Sequence, residues 1–279
     1  MEYYVKTEPD VKIFVHDINP NGKITLLFIH GWPLSHRAYE YQYNRLPAMG
    51  FRCIGMDTRG FGNSSKPYSG YTYNNIADDI RAVVNALNLK NFVLCGHSMG
   101  GAAAIRYMAR YNGYGVAKLA LFGAAAPSLT QRPGFPYGQP RETITQIIES
   151  SLRDRPQMLR DTAPLFFYKP ITQPQSDWFF QLGFEASGAA TAACAITFRD
   201  EALFKDMGRI KVPTLIMHGI HDEVCLYPLA EVMHQSISNS RLVPFENSGH
   251  ALFYEEQDKF NNELVNFIKE SSYQFVNSK

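Results

Sequence analysis

Short apolar runs, separated by helical patterns, constrain this sequence more than any other feature. Residues 24–29 read ITLLFI, and further runs of this kind occupy 51–56, 92–95, 119–122, 214–217 and 242–245. Such continuous runs are typical of strands that are buried on both faces, as in parallel sheets covered by helices. We therefore expect an α/β fold with a mostly parallel central sheet flanked by helices.

The segments between these runs carry the period of amphipathic helices. Apolar residues at positions 76, 80, 83, 84 and 87 form one helical stripe. A second helix is expected to begin just after Ser98, where three alanines at 102–104 can pack closely against a sheet. Apolar residues at 260, 264, 267 and 268 predict a third helix near the C-terminus.

The segment 127–205 breaks this alternation. It contains no clear buried strand, but it holds eight prolines and many aromatic residues, Phe166 and Trp178 among them. We therefore predict a core formed by residues 1–126 and 206–279, with 127–205 as a helical cap (lid) insertion. Its aromatic side chains, including those of Phe166 and Trp178, are expected to line a substrate pocket. The alternative is a small second domain with no role at the site.

Composition excludes several classes of function. The chain has 27 Lys and Arg against 26 Asp and Glu, so no strong overall charge attracts nucleic acid or a membrane surface. The first ten residues have no apolar run, which argues against a signal peptide, and no window is apolar enough to span a membrane. The four cysteines are scattered, as expected of free thiols in the cytoplasm. The histidines form no metal-binding pattern, so we expect no metal or other cofactor.

The motif Gly-His-Ser-Met-Gly at 96–100 is the strongest functional signal. It follows a predicted strand and precedes the alanine-rich helix, which is the context of a nucleophile elbow. A sharp turn between strand and helix would strain the backbone of Ser98 and expose its hydroxyl group. The backbone N–H of Met99, near the start of the helix, would be free to stabilise an oxyanion.

A serine nucleophile needs a base, and the base needs a carboxylate that fixes its tautomer. Asp222 follows the run at 214–217, and His250 follows the run at 242–245. The chain order Ser, Asp, His is that of the α/β-hydrolases. We therefore predict Ser98, Asp222 and His250 as the catalytic residues, and we rank His97 and His221 below His250 as the base.

On these motifs the chain resembles an α/β-hydrolase, and it is most similar to the cofactor-free haloperoxidase and arylesterase group. The resemblance is carried by the sequences HGWP at 30–33 and DTRGFGNS at 57–64, by the Ser98 elbow, by HGIHD at 218–222, and by Gly249-His250. It implies that Trp32 lies at the substrate site and offers a second oxyanion N–H beside that of Met99. It also implies structural roles for His30 and for the loop 57–64.

The motifs and the resemblance together predict a serine hydrolase that cleaves carboxylic esters of small to medium, uncharged substrates through an acyl-enzyme. Lactonase, amidase, C–C-bond hydrolase and perhydrolase activities would use the same three residues. A non-catalytic ligand-binding protein on the same fold also stays open. Dehalogenases and epoxide hydrolases are disfavoured because they use an aspartate where this chain has Ser98. We expect a small-molecule ester as the partner, with neither nucleic acid nor a membrane, and the sequence leaves a homo-oligomer open.

Overall fold

A computed structural model describes residues 1–270 of the chain. Eight strands of these residues form one central sheet. They are β1 (Glu2–Glu8), β2 (Val11–Ile18), β3 (Ile24–Ile29), β4 (Phe51–Met56), β5 (Phe92–His97), β6 (Val116–Phe122), β7 (Thr214–Gly219) and β8 (Ser240–Phe245). Their order across the sheet is β1-β2-β4-β3-β5-β6-β7-β8. Only the β1–β2 and β2–β4 pairs are antiparallel, so the predicted mostly parallel sheet is confirmed.

Helices connect the strands and cover both faces of the sheet. The α-helices are α1 (Glu40–Tyr43), α2 (Tyr73–Ala86), α3 (Met99–Arg110), α4 (Arg141–Thr162), α5 (Gln173–Phe184), α6 (Gly188–Asp200), α7 (Phe204–Met207), α8 (Pro228–Ser236), α9 (Leu252–Glu255) and α10 (Gln257–Lys269). Three short 3₁₀ helices span His36–Tyr39, Pro47–Met49 and Ala163–Phe166. The helices predicted from the stripes at 76–87, after Ser98 and at 260–268 correspond to α2, α3 and α10.

The strand β1 is one of the elements that the sequence analysis did not predict. It pairs only with β2, at the edge of the sheet. Of its seven residues only Val5 is fully buried, while Glu2, Tyr4, Lys6 and Glu8 are exposed. An edge strand can form through backbone hydrogen bonds with few apolar side chains, so an apolar run does not mark it.

The helix α3 packs closely against the sheet because its first two turns consist mainly of Gly and Ala. Ala102, Ala103 and Ala104 are fully buried. A Cβ atom on Gly101 would lie 2.6 Å from the Cβ atom of Ala124, just beyond the end of β6. Small side chains therefore bring the start of α3, and with it Ser98, against the strands.

The segment between β6 and β7, for which we predict a helical cap, contains α4, α5, α6 and α7. The helix α4 is kinked at Asp154, whose φ and ψ are −150° and 78°, two residues before Pro156. A proline inside a helix removes a backbone donor and crowds the preceding turn, which accounts for the kink. The boundaries of the insertion at 127 and 205 stay predictions.

The strands β3, β5, β6, β7 and β8 run parallel and end at one edge of the sheet. The loops that follow β3, β5, β7 and β8 contain Trp32, Ser98, Asp222 and His250, respectively. Ligands of open α/β sheets bind outside the carboxyl ends of the strands, which is where these four residues lie. Within residues 1–270 no helix is both long and apolar enough to cross a membrane.

Candidate active site

Ser98 occupies a strained turn between β5 and α3. Its φ is +53° and its ψ is −120°, a conformation that a residue with a side chain rarely adopts. The flanking glycines are required by close backbone contacts. A Cβ atom on Gly96 would lie 2.6 Å from the carbonyl oxygen of Gly100, and one on Gly100 would lie 2.4 Å from that of Ile29. The motif therefore forms the sharp turn that the sequence analysis expected.

The hydroxyl group of Ser98 lies at the start of α3, beside the loop that follows β7. Its Oγ atom is 3.9 Å from Sγ of Cys225. Met99 is the first residue of α3. The first four N–H groups of a helix have no partner within the helix, so the Met99 N–H is suited to bind a negatively charged oxygen next to Ser98.

Asp222 is buried and accepts hydrogen bonds at both carboxylate oxygens. His250 donates to Oδ2 through Nδ1 at 2.7 Å, and the backbone N–H groups of Val224 and Cys225 donate to Oδ1 at 2.8 Å each. His218 Nε2 lies 3.3 Å from Oδ2 and donates to the Cys225 carbonyl at 2.6 Å. Burial alone would raise the pKa of Asp222, but the attraction of His250 and the hydrogen bonds from His218 and His250 outweigh it and hold that pKa below its usual value.

The other ring nitrogen of His250, Nε2, is buried and has no hydrogen-bond partner among residues 1–270. When the ring carries a single proton, on the Nδ1 that donates to Asp222, Nε2 carries a lone pair. The His250 ring packs between His97, with ring centroids 4.5 Å apart, and Phe166, at 5.0 Å. The geometry therefore leaves one basic nitrogen available in a buried site.

His97 and His221 make different contacts, which agree with their lower rank as the base. His97 Nε2 donates to the backbone carbonyl of His250 at 3.0 Å. Burial, and secondly the neighbouring His250, lower the pKa of His97 well below its usual value, so its ring is neutral. His221 stacks on Tyr168 and contacts the carbonyl of Glu246 at 3.1 Å. His97 thus supports the loop that carries His250, and His221 lies against the cap.

The loops containing His30 and Asp57 are held by internal hydrogen bonds. His30 Nδ1 donates to the Gly31 carbonyl at 2.9 Å, and its Nε2 accepts from the Thr58 N–H at 3.0 Å. Asp57 Oδ1 accepts from the backbone N–H and the ring of His36 at 2.7 and 2.8 Å. These contacts agree with the structural roles implied by the family resemblance.

A cavity of about 650 Å³, which includes its open mouth, lies between Ser98 and the cap. Its walls are mostly apolar. Among the lining residues in the described part of the chain, Glu223 is the one with an acidic or basic side chain. The lining residues are Trp32, Ser98, Met99, Ala125, Leu129, Gln139, Thr143, Ile144, Ile147, Thr162, Leu165, Phe166, Phe198, Glu223 and Val224.

Two of the three predicted substrate-contacting residues line this cavity, and Trp178 does not. Trp32 lines the cavity and is fixed there because its indole N–H donates to the Thr191 carbonyl at 3.0 Å. Phe166 also lines it. Trp178 instead packs against Tyr41 and Tyr254, with ring centroids 6.3 and 6.2 Å away. The prediction for Trp178 is corrected, because its ring packs on half-buried aromatic residues outside the cavity.

Sequence reasoning missed several residues of the site. It did not single out Cys225, or the contact of His218 with Asp222, although both flank Asp222 in the segment 218–225. It also missed the isoleucines of α4 that line the cavity, Ile144 and Ile147, whose spacing of three residues was the available signal.

In residues 1–270 no group of three or more His, Cys, Asp or Glu side chains could hold a metal ion. Asp222 and His250 are hydrogen-bonded to each other rather than arranged around a shared point. The arrangement is therefore suited to acid–base chemistry by side chains.

Comparison with known proteins places this geometry in a family. Residues 24–257 match the family described as alpha/beta hydrolase fold. An AB hydrolase superfamily protein, YisY, from Bacillus subtilis is 48% identical over 267 residues, which cover 96% of this chain and 99% of that protein. The solved structure of an esterase from Exiguobacterium antarcticum superposes with a TM-score of 0.94 at 42% identity, covering 97% of this chain and 100% of the esterase.

Relatives in the haloperoxidase and esterase group extend the comparison. A bifunctional esterase/perhydrolase, DCH, from Acinetobacter calcoaceticus is 29% identical over 273 residues, covering 95% of this chain and 99% of that protein. Three further relatives are named non-heme chloroperoxidase or non-heme haloperoxidase. The chain is therefore most similar to the non-heme haloperoxidase and esterase group, as the sequence motifs indicated.

Proposed function

This chain belongs to the α/β-hydrolase family, and we propose that it hydrolyses carboxylic esters through a triad of Ser98, His250 and Asp222. The observation that carries the proposal is the 2.7 Å hydrogen bond from His250 to Asp222, which leaves Nε2 as a buried acceptor near the strained Ser98 turn. The similarity to the esterase from Exiguobacterium antarcticum supports an ester as the substrate.

The first chemical step is attack by Ser98. As its Oγ atom bonds to the ester carbonyl carbon, the hydroxyl proton passes to Nε2 of His250. Asp222 stabilises the imidazolium that forms, because its lowered pKa keeps it ionised at neutral pH. Nε2 of His250 accepts no hydrogen bond from Ser98 in this structure, and hydrogen bonds between catalytic groups often form only when substrate binds.

We assign the oxyanion hole to the backbone N–H groups of Met99 and Trp32. Met99 supplies its amide at the N-terminus of α3, where the helix dipole also favours negative charge. Trp32 lines the same cavity as Ser98 and Met99, which supports its role as the second donor. Removing one such donor typically lowers the rate roughly 10²- to 10³-fold.

The second half of the reaction releases the acid. The alcohol leaves with the proton held by His250, and the acyl group stays bonded to Ser98. His250 then takes a proton from water, which attacks the acyl carbon, and the proton returns to Ser98 as the acid leaves.

The cavity supports small to medium, uncharged substrates. Its walls carry the apolar side chains of Leu129, Ile144, Ile147, Phe166 and Phe198. Burial of an acyl or alcohol chain against them is favourable, at roughly 25 cal/mol per Å². A small-molecule ester is accordingly the partner that we propose.

A substrate screen with an active-site label tests the proposal. The purified protein is assayed with p-nitrophenyl esters from acetate to octanoate, with lactones and with amides, and is treated with a fluorophosphonate. We expect ester hydrolysis with covalent labelling at Ser98 and none in Ser98→Ala. Ligand binding without turnover or labelling would instead indicate a non-catalytic protein.

Perhydrolysis is a second candidate, favoured by the similarity to the bifunctional esterase/perhydrolase. The Trp32-Pro33 pair also supports it, as the motifs of the haloperoxidase group suggested, and Trp32 lines the cavity. Hydrogen peroxide would replace water as the acyl acceptor, so that the acyl-enzyme yields a peracid and free Ser98. Measuring peracetic acid formed from ethyl acetate and hydrogen peroxide, with Ser98→Ala as the control, tests this activity directly.

A further inference from the structure

Two segments from different parts of the fold meet at the proposed catalytic base, His250. The first is a strap of the cap, residues 166–169, between the 3₁₀ helix Ala163–Phe166 and α5. The second is the base loop, residues 247–251, which carries His250. The strap contacts the base loop directly, because the Ala251 N–H donates to the Phe166 carbonyl at 2.8 Å and the rings of Phe166 and His250 are 5.0 Å apart.

One carboxylate joins these two segments. Glu255, at the end of α9, accepts the backbone N–H groups of Tyr168 and Lys169 at Oε1, at 2.9 and 3.0 Å. Its Oε2 atom accepts the N–H of Gly249, the neighbour of His250, at 2.7 Å. The strap lies so close that a Cβ atom on Gly249 would be 2.9 Å from the Tyr168 nitrogen.

We propose that Glu255 is a positioning residue, which holds the strap and the base loop in register so that Phe166 packs on His250 and fixes its ring. The proposal rests on the function proposed for Ser98 and His250. Hydrogen bonds to a charged acceptor are stronger than those between neutral groups, and here three of them converge on one half-buried side chain. Phe166, which forms part of the cavity wall, and His250 are thereby held in a fixed position relative to each other.

Glu255→Gln is the informative variant because it keeps the size of the side chain. A glutamine has one acceptor oxygen and one amino group, so it cannot accept from both the strap and Gly249. Glu256→Gln is the matched control. Glu256 accepts from the Asn247 N–H at 3.0 Å and from the Ser248 hydroxyl at 2.6 Å, and it binds the base loop without a hydrogen bond to the strap.

Amide hydrogen exchange gives a readout that does not require activity. In Glu255→Gln we expect exchange in the strap and in residues 249–251 to become faster together, by roughly tenfold or more. In Glu256→Gln we expect little change in either segment, because one amide oxygen can accept both of the hydrogen bonds that Oε2 of Glu256 accepts. Faster exchange of one segment without the other in Glu255→Gln overturns the proposed coupling.

A double-mutant cycle on kcat tests whether Glu255 acts through the contact of Phe166 with His250. We expect Glu255→Gln and Phe166→Ala each to lower kcat on p-nitrophenyl acetate roughly tenfold, and the double variant to lose little more than either. A merely structural role would give additive losses, and either additivity or an unchanged kcat in Glu255→Gln overturns the proposal. If the wild-type protein hydrolyses no ester, the proposed function is contradicted, and the exchange measurement alone decides the coupling.

Discussion

The Oγ atom of Ser98 lies 3.9 Å from the Sγ atom of Cys225, so a hydroxyl and a thiol share the same buried corner of the site. Burial, and secondly the negative charge of Asp222, raise the pKa of the Cys225 thiol well above its usual value. A thiol that remains protonated is a poor nucleophile. The arrangement therefore favours Ser98, with the sharp turn and the helix N-terminus beside it, as the attacking group.

We expect the replacement of each of these two side chains by alanine to have a different effect on kcat. Ser98→Ala should lower kcat on p-nitrophenyl butyrate roughly 10⁴- to 10⁶-fold, because the nucleophile is lost. Cys225→Ala should stay within about threefold of wild type, since Cys225 holds Asp222 and His218 through its backbone, which alanine keeps. Steady-state kinetics on purified variants, with circular dichroism to confirm folding, checks both.

Ser69→Ala, in an exposed loop, should leave kcat unchanged. If Cys225→Ala loses activity as completely as Ser98→Ala while remaining folded, the assignment of the nucleophile is wrong.

Acid should destabilise the protein through its buried, neutral histidines. Burial lowers the pKa of His97 and of His30, so below about pH 6.5 the unfolded chain binds protons that the folded chain does not. The free energy of unfolding therefore falls with decreasing pH, by up to about 1.4 kcal/mol per pH unit for each histidine. The contribution of Asp222, whose pKa is lowered, is lost only at more acidic pH, below about 4.

The variant His97→Gln isolates one of these contributions. It removes one titrating group, so the unfolding free energy of the variant should fall less steeply with acid than that of wild type. Below pH 6.5 we expect the variant to gain about 1 kcal/mol of unfolding free energy relative to wild type for each unit by which the pH is lowered. Urea unfolding at pH 8.0, 6.5 and 5.5 measures this difference. A difference that stays constant across the three pH values would show that His97 does not contribute in this way.

The sequence alone predicted the elements with strong local signals. The buried parallel strands show as apolar runs, and the Ser98 turn shows as a motif whose glycines are required by contacts of 2.4 to 2.6 Å. Chain order and strand ends were enough to select Asp222 and His250, which the structure joins by a hydrogen bond. These features depend on residues near one another in sequence, or on the shared edge of a parallel sheet.

Contacts between distant segments were not predictable in the same way. The direction in which an aromatic residue of the cap faces depends on how the helix packs, so Phe166 and Trp178 look alike in the sequence but only Phe166 lines the cavity. Likewise, Glu255 is one more charged residue near the C-terminus until the strap is placed beside it. Edge strand β1 carries too few buried residues to be marked by hydrophobicity.

The charge of Glu223 should influence which esters are accepted. Glu223 is exposed, so it lies at the mouth of the cavity. Glu223→Lys should raise kcat/KM for the anionic mono-p-nitrophenyl ester of glutaric acid, relative to the neutral butyrate ester, by roughly fivefold, equivalent to about 1 kcal/mol across solvent. Asp10→Lys makes the same change of charge in an exposed turn after β1, and there we expect no change in this ratio. The effect should also weaken with added salt, and a ratio that Glu223→Lys leaves unchanged would contradict the prediction.

Acyl-chain preference should respond to the cavity wall and not to the aromatic cluster outside it. Ile147 lines the cavity from α4, so Ile147→Ala should make room for longer chains and raise the ratio of kcat/KM on octanoate to that on acetate roughly five- to tenfold. Trp178→Ala is the matched control, because Trp178 packs against Tyr41 and Tyr254 outside the cavity. It should lower the melting temperature and leave the ratio unchanged, at a cost below the roughly 3–5 kcal/mol of a fully buried aromatic residue, since it is half-buried. Kinetics and thermal melts on the same two preparations decide the point: a change of the ratio in Trp178→Ala, or none in Ile147→Ala, would mean that the acyl chain binds elsewhere.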